Sequence, residues 1–242
     1  MSRVRSVAGG GRAVEVEPAR LAGWFERFAG RHGGLAETAT TAEEMRVIAS
    51  DGARASVAVP FGGLADGLDA GLGAGEGGSP DRAVELLVEH VSRSRRIGLV
   101  LVRLGGYSVG VAVDGRVTSS RTGRRQVHGR NKAGGWSQQR FARRRAGQAR
   151  VSLSAAGEAT FEVLLPEAAT LDAVVLGGDR TALDELRADP RLAPLFALAE
   201  PRVLDVVEPR RVVLDEAARR ALAVEVVVVE HSDRTSDGDD RA

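Results

Sequence analysis

The apolar positions of this chain follow two alternating periods. Leu21, Trp24, Phe25 and Phe28 recur at three- and four-residue spacings, the signature of one helix face. Pro18 stands where a first helical residue tolerates a missing N–H, and His32-Gly33-Gly34 closes the run. Aromatic residues at that spacing predict a core face. Ahead of the helix, Glu15–Glu17 is a short strand candidate, and the residues before it look loose. Glu44–Ser50 and Ala53–Phe61 are β-rich runs on either side of Asp51-Gly52, which predicts a hairpin. Gly62–Pro80 holds eight glycines and reads as a linker or mobile loop, with Leu64, Leu68 and Leu72 as a weak helical face. A domain boundary is placed near Pro80. Residues 1–80 are expected to form a small α+β region that ends in the Gly-rich linker.

Past Pro80 the pattern changes. Ser79-Pro80 predicts a capped helix with Val84, Leu87, Val88 and Val91 as its buried stripe. Ile97–Arg103, Tyr107–Val113 and Arg116–Ser120 are strand candidates joined by Gly105-Gly106 and Asp114-Gly115, so an antiparallel meander follows. Arg121–Lys132 lacks apolar periodicity and reads as a long exposed loop. From Trp136 onward, Ala142, Ala146, Ala149, Leu153, Ala156, Thr160 and Val163 make one helical stripe ending near Leu165-Pro166. Its small side chains allow close packing on a sheet. Leu171–Leu176 is a buried strand, Thr181–Ala188 a helix closed by Pro190, and Val203–Val207 another strand. Leu214–Ala221 is helical, and Glu225–Val229 reads as a last strand or as a continuation of that helix past Ala223. Residues 231–242 are polar and acidic and are expected to be disordered. The whole predicts an α/β fold, a mixed β-sheet with flanking helices over residues 81–230.

Composition narrows the chemistry. The chain has 242 residues and no Cys, which excludes disulfides, Cys-ligated zinc, iron–sulfur clusters and thiol nucleophiles. It has no apolar run of about 18 residues and no signal-like start, so a cytoplasmic protein without a membrane partner is expected. The formal net charge is only +1, but its distribution is uneven. Gly115–Gly157 contains ten Arg, one Lys and no acid, which leaves the remainder at −10. Such a segment is the footprint of a polyanion-binding surface. Lys132 is the chain's only lysine. Arginine forks phosphates and stacks on bases, which suits RNA, although a GC-rich genome accounts for much of the bias.

Several familiar kits are missing. The glycines at 71, 73, 75, 77 and 78 follow no strand and do not meet the dinucleotide spacing. There is no Walker A sequence and no G-x-S-x-G elbow. His32, His90, His128 and His231 lie in separate segments, which argues against a zinc site, and the basic region has no acidic cluster for a two-metal nuclease. No metal and no cofactor is expected.

One segment does carry a pattern. His128-Gly129-Arg130, then Gly134-Gly135, then Arg140-Phe141-Ala142-Arg143 resembles the catalytic loop and following helix of the class-1 peptide release factors of eukaryotes and archaea. Trp136 stands where their Gly-Gly-Gln motif has its glutamine, and a glutamine appears two residues later, at Gln138. Gly135-Trp136-Ser137-Gln138 is instead similar to the G-x-x-Q motif of ribosome-rescue factors of the Vms and ankyrin zinc-finger type. Size and the Ala- and Arg-rich character resemble their actinobacterial branch. Val174-Val175-Leu176-Gly177-Gly178 and Val203-Leu204-Asp205-Val206-Val207 fall where release factors have their next strands. The resemblance covers about residues 81–230. The ankyrin repeats, zinc finger and coiled coil of the eukaryotic relatives are absent.

The resemblance implies a ribonuclease-H-like release-factor catalytic domain and a peptidyl-tRNA hydrolase that rescues stalled large ribosomal subunits. Its partners would be the large subunit, peptidyl-tRNA and ribosomal RNA, with no DNA. Gln138 would orient water, with Gly134 and Gly135 letting the main chain approach the ester. Arg124, Arg125, His128, Arg130, Lys132, Trp136, Arg140, Arg143, Arg144 and Arg145 would contact RNA. Gln139 competes with Gln138 for the catalytic role, and Trp136 is either a core anchor or a base-stacking residue. Cleavage of the tRNA acceptor end and non-catalytic RNA binding remain as alternatives to hydrolysis.

Overall fold

A computed structural model describes residues 3–7, 10–64, 79–103, 105–124 and 136–230, with backbone alone for residues 136–146, 148 and 149. The expectations for most of the Gly-rich linker and for the acidic tail lie outside the described residues. In chain order the elements begin with β1 (Val4–Ser6), β2 (Arg12–Val16), α1 (Pro18–Arg31), β3 (Leu35–Thr40), β4 (Glu44–Ala49), β5 (Arg54–Ala58) and α2 (Pro80–Ser92). There follow β6 (Arg96–Arg103), β7 (Gly106–Val113), β8 (Arg116–Arg124), α3 (Trp136–Leu164), β9 (Ala173–Gly178), α4 (Arg180–Arg187), the short α5 (Ala193–Phe196), β10 (Ala199–Leu204), α6 (Arg211–Leu222) and β11 (Val224–Val229).

These elements make two units, Met1–Arg93 with Ala223–Ala242, and Ser94–Leu222. The first holds a sheet of order β1-β2-β11-β5-β4-β3, antiparallel throughout. α1 starts at Pro18 and buries Leu21, Phe25 and Phe28, as its spacing predicts. Trp24 stacks on Phe28 with ring centroids 5.6 Å apart. α2 adds Ala83, Leu87 and Val91 to the same core, facing Met45, Val47, Val57, Val226 and Val228. Fully burying one such phenylalanine contributes about 1.5–3 kcal/mol. His90 is also buried on α2, and its Nε2 donates to the Pro60 carbonyl at 2.8 Å.

The second unit holds a sheet of order β10-β9-β6-β7-β8. β6, β7 and β8 form the antiparallel meander, while β9 lies parallel to β6 and β10 parallel to β9. Numbered by first appearance, the strands run 3-2-1-4-5 across the sheet, with the second antiparallel to the rest. That is the ribonuclease-H-like arrangement. β6 and β7 are buried along almost their whole length, as central strands covered on both faces must be. One face carries α3, α4 and α5, whose Ala156, Ala159, Leu183, Leu186 and Leu195 share a core with Val100, Val109 and Leu176. The other face carries α6. The β7–β8 turn places Asp114 and Gly115 both at positive φ, 49° and 75°, the backbone demanded by a two-residue hairpin.

Several details differ from the sequence reading. The unit division falls at Arg93, not near Pro80, and β11 returns to the first unit, because its valines complete the first sheet between β2 and β5. Ser79 makes no side-chain cap. β3 has no counterpart among the elements expected from the sequence, since Leu35–Thr40 lacks a run of strong strand formers. β8 continues to Arg124 rather than giving way to a loop at Arg121. As an edge strand exposed along most of its length, it needs no apolar alternation. β10 occupies Ala199–Leu204, earlier than the valine-rich segment suggests. Val206 is buried beyond the strand and Val207 is 81% exposed.

Candidate nucleic-acid interface and catalytic segment

β8 and α3 frame the segment with the G-x-x-Q pattern: the chain leaves β8 at Arg124 and enters α3 at Trp136. Gly134, Gly135, Arg125, His128, Arg130 and Lys132 lie outside the described residues. The helix backbone places Gln138 in the first turn of α3, where Trp136 and Gln139 also stand, and Arg140, Arg143, Arg144 and Arg145 follow in the next turns. The side chains of these residues are not described. The first turn contains no acidic residue, so nothing in it neutralises the positive end of the helix dipole.

The β8 end of the frame is set by close packing. Gly123 pairs with Tyr107, and a Cβ on Gly123 would run into the tyrosine ring. The ring thus covers the strand backbone one residue before Arg124. One position earlier, the Ser108 and Thr122 hydroxyls are 2.7 Å apart on the opposite face. These cross-strand contacts fix the register that brings Arg124 to the strand's end.

Side chains of β8 alternate between the two helices that flank it. Towards α3, Arg121 pairs with Glu162. Towards α6, Arg211 donates to the Ser120 hydroxyl at 2.8 Å and pairs with Asp215 at 3.0 Å. Arg124, the one RNA-contact candidate whose side chain is described, is 3.2 Å from Oε1 of Glu208. The other oxygen of Glu208 accepts from Arg210 at 2.6 Å. That hydrogen bond, with the nearby charge of Arg124, holds the Glu208 carboxyl below the usual carboxylate range. The guanidinium of Arg103 donates to the Val206 carbonyl at 2.7 Å and ties down the turn that carries Glu208.

The acid-free window of sequence is therefore not free of acids in space. Glu162 and Glu208 both follow it in sequence, and they pair with Arg121 and Arg124. The sequence reading missed Glu208, Arg210 and Arg211. Their signal is the short run Glu208-Pro209-Arg210-Arg211, which lies beyond the basic window. Arg116 and Arg150 complete the described, exposed arginines of the window.

Among the described residues no cluster of His, Asp and Glu is arranged to hold a metal ion. No helix of the described residues is long and apolar enough to cross a membrane.

No curated protein matches the sequence. Solved structures include an archaeal translation termination factor, 18% identical, covering 52% of this chain and 38% of the other, with a TM-score of 0.35. Pelota of Archaeoglobus fulgidus is 14% identical over 91% of this chain and 64% of its own, with a TM-score of 0.30. The chain thus spans less than two thirds of the length of either. The profile of one family matches residues 95–227, more than half of the chain and nearly all of the second unit, and by that match the chain belongs to the Actinobacteria/chloroflexi VLRF1 release factors.

Proposed function

We propose that this chain is a peptidyl-tRNA hydrolase that releases nascent chains from stalled large ribosomal subunits in the cytoplasm. The observation that carries the reading is the position of Gly135-Trp136-Ser137-Gln138 inside the family match, at the junction from β8 into the first turn of α3. The ester of peptidyl-tRNA is already activated, so the reaction needs an oriented water more than a strong base. Gln138 holds that water through its amide. Water oxygen bonds to the ester carbonyl carbon, and the bond to the ribose oxygen breaks. One of the water's protons ends on that oxygen and the other passes to solvent, which leaves a peptide carboxylate and a tRNA with its 3′ end intact. A neutral glutamine contributes positioning, so near-attack geometry supplies most of the acceleration. Backbone N–H groups beside Gly134 and Gly135, with the positive end of α3, favour the developing oxyanion. Arg124, Arg125, His128, Arg130, Lys132, Trp136, Arg140, Arg143, Arg144 and Arg145 hold ribosomal RNA and tRNA, mostly through phosphates.

The test is peptide release from purified peptidyl-tRNA–large-subunit complexes, with the tRNA 3′ end sequenced in the same samples. Release that depends on Gln138, tolerates Gln139→Ala and leaves the CCA end whole is expected. A shortened tRNA would assign nucleolytic cleavage instead. Binding without release, in wild type, would leave an RNA-binding module.

A further inference from the structure

The second unit contains a basic surface in which the fold joins Arg124, from the acid-free window, to Arg210 and Arg211, which lie outside it. Arg124, from the end of β8, and Arg210, at the entry to α6, converge on the two carboxylate oxygens of Glu208, at 3.2 and 2.6 Å. Arg211 stands beside them, bonded to Ser120 on the same strand. All three arginines are roughly half exposed or more. Two valines flank the group, Val207 and Val212, 81% and 68% exposed, among the few large apolar side chains that the described residues leave to solvent. Arg210 and Arg211, each able to fork an anion, thus lie between two exposed apolar side chains along one short run of chain.

A phosphodiester offers the same thing that Glu208 does: two oxygens on one anionic centre. Two arginines already arranged on such a pair have little left to organise when a phosphate takes the carboxylate's place. The exchange is easy, because ion pairs this exposed contribute little net stability. We infer that Arg124, Arg210 and Arg211 form a phosphate-binding clamp for RNA, with Val207 and Val212 against the ribose and base, and that Glu208 is the resident counter-ion which RNA displaces. Charge complementarity selects RNA over an acidic protein on one further ground: the clamp is continuous, through Arg124, with the basic segment that leads to Gln138. The inference rests on the RNA-directed reading of that segment and extends the surface to α6.

Two probes test it: purified large ribosomal subunits and a fluorescein-labelled RNA hairpin, each bound to the full chain over a series of salt concentrations. The double variant Arg210→Ala, Arg211→Ala is expected to bind both probes about tenfold more weakly and to flatten the salt slope by roughly one to two. Glu208→Gln is expected to bind both more tightly, by about threefold or more, because the competing carboxylate charge is gone. Asp184→Asn, on α4, serves as the charge control and should change neither. Arg210→Lys, Arg211→Lys keeps the charge and should keep most of the salt slope while losing the forked geometry; it also guards against misfolding of the alanine variant. Unchanged affinity and slope in the alanine variant overturns the inference. So does weakening toward subunits alone with the hairpin unaffected, which would make the surface a protein contact. If wild type releases no peptide while these variants still shift RNA binding, the hydrolase reading fails and the clamp stands. If Gln138→Ala abolishes release and the α6 variants change nothing, the clamp fails and the hydrolase reading stands.

Discussion

The two units use opposite means to build a sheet domain. The first is antiparallel throughout, packs Phe25 and Phe28 at its centre, and is acidic, with 19 Asp and Glu against 12 Arg. The second is mixed, has Tyr107 as the one aromatic among its buried core residues, and is basic, with 22 Arg and Lys against 14 Asp and Glu. Charge has been sorted between units as well as along the chain. An antiparallel sheet that includes a strand from each end of its segment is closed by long-range pairing. The mixed sheet instead leaves β8 exposed at its edge, and that edge is where the chain departs towards the G-x-x-Q pattern. An exposed edge strand rich in Arg, Ser and Thr is guarded against pairing with other strands and is open to polyanions. Among the described residues, exposed arginines of this unit stand on that sheet edge, at Arg121 and Arg124, and on both flanking helices, at Arg150 and Arg211.

The comparison breaks most severely if the chain is cut at Ala223. β11 lies between β2 and β5, so its removal splits the first sheet in two while it removes no strand from the second. Hydrogen exchange should show protection lost across β2, β4 and β5 and retained in β6, β7 and β9. Protection retained throughout would mean that the first unit does not depend on β11.

Next in size is Gln138→Ala. If Gln138 orients the water as proposed, its loss should slow peptide release by about 10²- to 10³-fold, the effect of removing one oriented polar group from an acyl-transfer site. Circular dichroism and subunit binding should be unchanged. The equivalent change in the first unit, at any exposed glutamic acid, should leave release alone.

A smaller effect sharpens how the second unit positions its edge. Gly123→Val places branched carbons against the Tyr107 ring, where even a Cβ has no room. A cost of about 1–3 kcal/mol is expected from overpacking, read as a lowered urea midpoint. Gly147→Ala, with open space around its Cβ, should instead be neutral or stabilising.

The smallest effect belongs to the first unit. Asp51 accepts from the Ala53 N–H at 2.9 Å and from His32 Nδ1 at 2.7 Å, and these bonds, the Ala53 one foremost, hold its pKa below the ordinary value. A carboxyl lowered on folding stabilises the fold above its unfolded pKa, and that contribution fades as pH falls through the folded one. Wild type should therefore exceed Asp51→Asn in urea resistance at neutral pH, and the difference should close below about pH 4. A gap that persists in acid would assign the loop's stability to something other than the carboxylate.

Much of the fold was legible because its signals are local. Pro18 and the Leu21–Phe28 spacing set α1, Asp114-Gly115 set the β7–β8 turn, and the small-residue stripe from Ala142 to Val163 set α3 from Trp136 to Leu164. β3 and β10 were missed or displaced because their burial comes from neighbours and not from their own pattern. Thr38 and Thr40 are buried in β3, although neither is apolar. Pro201 sits inside β10, where a proline argues against a strand, yet β10 is a sheet edge and tolerates it. Of the candidate site, the G-x-x-Q pattern and its basic surroundings were readable as a string.

The sequence by itself determined the helices and hairpins, the acid-free basic window and the position of Gln138 in the chain, because each depends on residues within a few turns of one another. Tertiary structure decided what lies beside them. Only folding inserts β11 between β2 and β5, brings Glu162 to Arg121, and seats Arg124 and Arg210 on one carboxylate. Strand partners and ion pairs far apart in sequence are chosen by which faces can be buried together, and that choice is made by the whole unit at once.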